Sequence, residues 1–306
     1  MTNQPEVLEV DLGHLRMSAL AWGPADGRLA VCLHGFPDSA WSWRSTAELL
    51  ANNGFRVVAP FTRGYAPTDV PADGEYHIGA LAYDAIALHA CLEGGNDAVI
   101  VGHDWGSFTA NALAAYPASP FGAYVAMSVP SVGAMRAKSH KSAKAISMFA
   151  RQLRRSWYVM FFQLPWLPER VAGRVIPKLW RDWTPAGVDV SEGIADAQAA
   201  LPTLARKRAA LSYYRALARA RRPSGRYQEL HPYRFDLPRR PILHIQGTQD
   251  GAIQVEYADF LPDLLPAGSV VEILEGGHFL QLEQPQQVAM AILRFCDSDV
   301  QTEESL

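Results

Sequence analysis

Five residues, Gly102-His103-Asp104-Trp105-Gly106, stand between an apolar run at 97–101 and a helical pattern that begins at Ser107. Two glycines bracketing one acidic residue, with strand-like residues before and helix-like residues after, specify a strand, a sharp turn and a helix. The tip of so tight a turn is expected to take a strained, positive-φ conformation. Its neighbours must then be nearly free of side chain for the backbone to fold around it. The frame is Gly-x-Ser-x-Gly with Asp104 at the serine position. A helix-capping role for Asp104 would leave both flanking glycines unexplained.

The rest of the chain alternates strand and helix patterns around this unit. Residues 6–12 and 14–22 alternate as two antiparallel strands joined at Gly13, and 28–34 and 55–60 are short apolar runs that suit buried strands. Helices are expected over 41–52, where Asp38 or Ser39 supplies the cap, and over 78–92. Residues 121–129, 241–246 and 269–274 read as further strands. Helices are expected at 253–260 and 285–296, and a short frayed tail after Asp297. From Pro130 to about Phe235 the strand pattern lapses. That stretch is rich in Ala, Arg and Leu with helical periodicity, interrupted at Pro165, Pro168, Pro177, Pro185, Pro202 and Pro223. The expected organisation is a core of residues 1–130 and 236–306 with a helical cap inserted at 131–235. The fold class is α/β, a mostly parallel twisted sheet flanked by helices.

With 306 residues, 49 % apolar and a net charge of −3, the chain suits a globular enzyme of one large domain plus an insertion. The 28 Lys and Arg are concentrated. Only Arg16, Arg28, Arg44, Arg56 and Arg63 precede residue 131, and only Arg239, Arg240 and Arg294 follow 235. Their interleaving with Ala and Leu reads as an exposed helix face; no nucleic-acid motif accompanies them, and a homodimer through this basic surface stays open. Cys32, Cys91 and Cys296 are odd in number, lack CxxC spacing and are expected to be buried thiols of a reducing compartment. No signal-like N-terminus and no apolar stretch of spanning length is visible, so a cytoplasmic protein without a membrane partner is expected. No His/Asp cluster has metal-ligand spacing, and neither metal nor cofactor is expected.

His34, Asp104, Asp250 and His278 each fall just past an expected strand, which places them on one edge of such a sheet, where ligands bind. The order nucleophile, acid, histidine is that of a hydrolase triad. Together the Asp elbow, His34-Gly35-Phe36-Pro37, Asp250 and Gly277-His278-Phe279 resemble the α/β-hydrolase family over nearly the whole chain. An Asp carboxyl, with an ordinary pKa near 3.9, attacks without help from a base. His278 is then free to deprotonate a water that hydrolyses the resulting ester, with Asp250 orienting the imidazole. The resemblance implies an oxyanion hole from the backbone N–H groups of Phe36 and Trp105.

Within that family an Asp elbow implies an alkyl-enzyme ester, and the leaving group decides the substrate. Ser156-Trp157-Tyr158-Val159-Met160-Phe161-Phe162-Gln163 and Ser212-Tyr213-Tyr214-Arg215 resemble the epoxide hydrolase segments that carry two ring-opening tyrosines. Tyr158 and Tyr214 match them, with Tyr213 the alternative if the helix is rotated. Trp105, Phe36 and Phe279 would line the substrate site, and the Phe36–Pro37 bond is a candidate for cis geometry. The chain departs from the family pattern at Phe61 and Thr62, and at Phe279 where Trp is frequent. The expected reaction opens a small hydrophobic epoxide with water to a vicinal diol. Haloalkane or haloacid dehalogenation, to which Trp105 is equally suited, is the alternative. A ligand-binding or sensing protein with little turnover is the alternative of a different class.

Overall fold

The computed structural model describes residues 4–137, 143–218, 223 and 225–303. Eight strands form one sheet: β1 (Glu6–Asp11), β2 (Arg16–Trp22), β3 (Arg28–Leu33), β4 (Phe55–Pro60), β5 (Val99–His103), β6 (Ala123–Met127), β7 (Leu243–Gly247) and β8 (Val270–Leu274). Their order is β1-β2-β4-β3-β5-β6-β7-β8. β2 runs antiparallel to both its neighbours, and from β4 onward every pair is parallel.

The central strands are apolar without alternation because both faces are covered. On β5, Val99 and Val101 enter the core on one face of the sheet, and Ile100 enters the core on the other. The helices that cover the core are α1 (Arg44–Ala51), α2 (Ile78–Cys91) and α3 (Trp105–Ala115). Ser39 accepts a bond from Trp41 N ahead of α1, whose first turn is preceded by the 3₁₀ segment Ala40–Trp43. At α2 the cap is His77, whose ring accepts from Ala80 N.

Between β6 and β7 lie α4 (Val132–Ala137), α5 (Ala143–Arg155), α6 (Trp157–Phe161), α7 (Leu167–Trp183), α8 (Ser191–Ala200) and α9 (Leu204–Ala218). Two of the prolines expected to interrupt helices sit inside α7. Pro168 occupies its first turn, where no N–H is needed. Pro177 lies in the middle and removes the donor for the carbonyl of Gly173. Gln198 of α8 supplies the missing partner, its Nε2 donating to Gly173 O at 3.0 Å. A side chain from a neighbouring helix thus replaces the lost rung, and α7 continues.

Three other expectations need correction. The segment 255–263 is a 3₁₀ helix: Tyr257 N bonds Gln254 O three residues back, and Pro262 lacks the N–H that an α-helix would use. The last helices are α10 (Leu280–Glu283) and α11 (Pro285–Glu303), so the backbone stays helical beyond Asp297. Cys32 and Cys296 are buried, but Cys91 is exposed, since it ends α2 at the surface. Among the described residues no helix is long and apolar enough to cross a membrane.

Candidate active site

Asp104 sits between β5 and α3 with φ 52° and ψ −107°, the positive-φ conformation that the flanking glycines anticipate. A Cβ on Gly102 would lie 2.0 Å from Gly106 O, and one on Gly106 would lie 2.2 Å from Leu33 O. Neither position admits a side chain, because the turn folds back on itself and α3 starts hard against β3.

The Asp104 carboxylate is only 7 % exposed. Its Oδ1 accepts from Phe36 N at 2.7 Å. Phe36 belongs to the turn after β3, where the Phe36–Pro37 bond is cis. Trp105 is the first residue of α3, so its N–H is one of the donors that have no partner within the helix. The turn is braced by His34, whose Nε2 accepts from Thr62 N at 3.0 Å.

His278 and Asp250 arrive from the loops after β8 and β7. His278 Nδ1 lies 2.9 Å from Asp250 Oδ2, and Nε2 lies 3.8 Å from Asp104 Oδ2. Asp250 is anchored independently of the imidazole: Oδ1 accepts from Ala252 N at 2.7 Å and Ile253 N at 2.9 Å, and Oδ2 accepts from Gln246 Nε2 at 3.0 Å. Burial opposes a charge on the His278 ring. The adjacent carboxylates, Asp250 foremost and then Asp104, outweigh it and lift the imidazole pKa to about 10.

Several residues that hold this histidine left no motif in the sequence. Its carbonyl accepts from Ser128 Oγ at 2.7 Å and lies 2.9 Å from His103 Nε2. Glu283 accepts from Gly277 N and Phe279 N, on either side of it, at 2.6 and 3.0 Å. His278 N donates to Trp183 O at 3.0 Å, and Trp180 Nε1 donates to Pro37 O at 2.6 Å. The last turn of α7 therefore grips both the histidine loop and the turn that faces Asp104. The paired Trp at spacing three was the available signal, and its polar contacts run through main-chain carbonyls that no side-chain pattern reveals.

From the insert, Tyr158 on α6 and Tyr214 on α9 meet edge to face with ring centroids 5.6 Å apart. The Tyr214 ring is 5.2 Å from both Phe36 and Trp105. Its hydroxyl is buried without a hydrogen-bond partner among the described residues. Tyr213 turns away, donating its hydroxyl to Arg63 O at 2.7 Å. Burial, and next the charge of Asp104, push the pKa values of both Tyr158 and Tyr214 upward, so both phenols keep their protons. Phe279 stands behind the imidazole, stacked on Trp180 at 3.6 Å, and its ring contacts are with His103, Trp180, Trp183 and His278. A cleft of about 550 Å³ beside α9 is lined by Trp105, Tyr213, Leu217 and Phe235 among others.

This arrangement supplies a preorganised carboxylate, a donor on its oxygen, a histidine positioned by a second carboxylate, and two neutral phenols on the opposite wall. Comparison with known proteins gives a family model, that of the alpha/beta hydrolase fold, matching residues 31–285. Epoxide hydrolase A of Mycobacterium tuberculosis is 28 % identical, over 94 % of this chain and 95 % of its own. Among solved structures, Epoxide Hydrolase A from Mycobacterium thermoresistibile superposes with a TM-score of 0.74 at 22 % identity, covering 95 % of this chain and 98 % of that one. A haloalkane dehalogenase loop variant from Bradyrhizobium elkanii does so with a TM-score of 0.73 at 19 % identity, covering 98 % and 99 %.

Proposed function

Because the chain belongs to the alpha/beta hydrolase fold family, we propose that it is an epoxide hydrolase working through a covalent ester on Asp104. The observation that carries this reading is the pair of buried phenols, Tyr158 and Tyr214, facing the elbow across Trp105 and Phe36. A halide leaves as a stable anion and needs only hydrogen-bond donors, whereas an epoxide oxygen leaves as an alkoxide and needs a proton. The fold itself does not choose, since the dehalogenase shares it. Residues 131–235 act as a cap over a core of 1–130 and 236–306. The cleft beside α9 gives an apolar substrate a way to Trp105.

In the first step Asp104 attacks an epoxide carbon, the ring C–O bond breaks, and Tyr158 or Tyr214 gives its proton to the departing oxygen. The substrate is now esterified to Asp104. In the second step His278 Nε2 takes a proton from water, and the hydroxide adds to the ester carbonyl carbon. The oxyanion that forms is met by the N–H groups of Phe36 and Trp105. Collapse breaks the acyl C–O bond and frees the diol, whose oxygen recovers the proton carried by the new carboxyl group. The proton on His278 returns to the tyrosinate. Ester formation also removes the negative charge of Asp104, one of the two charges that lift the His278 pKa, so the imidazole becomes a base when a base is needed.

Incubation with styrene oxide and, separately, a haloalkane tests the reading by assay of diol and halide. Diol from the epoxide is expected; halide release without diol would transfer the site to dehalogenation.

A further inference from the structure

α5 and α6 form one helical track. Ser156 N bonds Gln152 O at 2.8 Å between them, and Phe162 N bonds Tyr158 O at 2.8 Å beyond. The inward face of this track carries Met148, Gln152, Tyr158 and Phe162, all buried. Its outward face is apolar as well. Phe149, Leu153, Trp157, Met160 and Leu164 follow at spacings of four, four, three and four, which keeps them on one side of a helix. They are exposed, from 39 % at Trp157 to 71 % at Met160, and Trp166 just beyond is 58 % exposed. A surface helix normally turns such a stripe inward; an outward one of this extent marks a docking surface.

The charge around the stripe identifies what docks. Between Asp104 and Glu169 the sequence contains no acidic residue, while Arg151, Arg154 and Arg155 lie on α5. Arg154, Arg170 and Arg174 are exposed, and the Arg170 guanidinium lies 5.0 Å from the centre of the Trp166 ring. Glu169 is buried and held by Arg215 at 2.7 Å, so it offers nothing outward. Two copies meeting through this face would oppose like charges. An apolar stripe with tryptophans, rimmed by arginines whose stems reach past it, matches an anionic bilayer surface.

We propose that this outward face of α5 and α6 docks the protein peripherally on membranes containing anionic lipid. It is a contact that the patterning of the sequence did not suggest, and it stands independently of the catalytic reading. The same short helix presents Trp157 and Met160 to the lipid and Tyr158 to the interior.

The full chain is sedimented with phosphatidylcholine vesicles and with vesicles that also contain phosphatidylserine. Binding to the anionic vesicles is expected to be more than about tenfold tighter and to weaken with added salt. Leu153→Glu and, separately, Trp166→Glu should each lower it at least about tenfold while leaving the thermal melt by circular dichroism unchanged. Using both variants keeps the test independent of any one helix. Equal partitioning to neutral and anionic vesicles, or none to either, overturns the proposal. So does a soluble dimer that Leu153→Glu disperses while vesicle binding by the unmodified chain is absent.

Discussion

His278 Nε2 stands 3.8 Å from Asp104 Oδ2, too far for a hydrogen bond and close enough for each charge to feel the other. The imidazole's elevated pKa, about 10, reflects that proximity together with the tighter contact to Asp250. Asp104→Asn removes one of the two charges and copies the neutral ester. It should lower the His278 pKa, read by NMR titration of the ring. The same shift links to stability. A histidine whose pKa rises on folding contributes stability that is complete below its unfolded value, near 6.5, and lost as pH climbs through about 10. Melting temperature should therefore fall over that interval, and fall less in Asp104→Asn.

The two-step route makes an isotopic demand. Water attacks the acyl carbon of the ester, so a single turnover in ¹⁸O-water should place the label in the Asp104 carboxylate and leave the diol unlabelled. His278→Gln should stop after the first step, and mass spectrometry should find the substrate's mass added to the Asp104 peptide. Label in the diol after one turnover would mean direct attack of water on the substrate carbon.

Tyr158→Phe and Tyr214→Phe should each slow ring opening, and the double variant should lose about 10²–10⁴-fold, the usual worth of a positioned acid. Tyr213→Phe breaks only the bond to Arg63 O at 2.7 Å and should cost stability of about 1 kcal/mol with little change in turnover. Equal losses of turnover from Tyr213→Phe and Tyr214→Phe would remove the distinction.

Gly35 makes a further check on preorganisation. A Cβ there would lie 2.3 Å from Asp104 Oδ1, so Gly35→Ala must displace the carboxylate from the Phe36 N–H. Adduct formation in the Gly35→Ala, His278→Gln background should be nearly abolished while circular dichroism still reports a folded chain.

A double-mutant cycle examines the insert. Gln198→Ala should destabilise by about 0.5–1 kcal/mol, since Gly173 O loses its only nearby donor. In a Pro177→Ala background, where residue 177 regains its own N–H, the same change should cost less.

The sequence revealed most where chemistry restricts the backbone. Asp104 needs glycine at 102 and 106 because side chains there would strike Gly106 O and Leu33 O, so the elbow announces itself in two residue types. The strands were legible because burial on both faces makes them apolar without alternation. Contacts made through main-chain atoms were hidden. Trp183 O holding His278 N has no residue-type signature, and neither has the Gln198 side chain that lets α7 pass Pro177. Period alone did not separate α from 3₁₀ at 255–263, where Pro262 and three-residue bonding decide. The identity of Tyr214 over Tyr213 depended on the rotation of α9, a property of packing.

The bond from His278 N to Trp183 O, with Trp180 Nε1 on Pro37 O, bears on how such proteins diversify. An insert that touched the core only through substrate could be exchanged between relatives as a module. Here the last turn of α7 is a structural part of the catalytic base's own loop. A chimera that replaces the insert through Trp183 would inherit a new pocket and a misplaced histidine together. One that cuts before Trp180 keeps the base in register, so evolution and engineering alike are expected to vary α8 and α9 more freely than the end of α7.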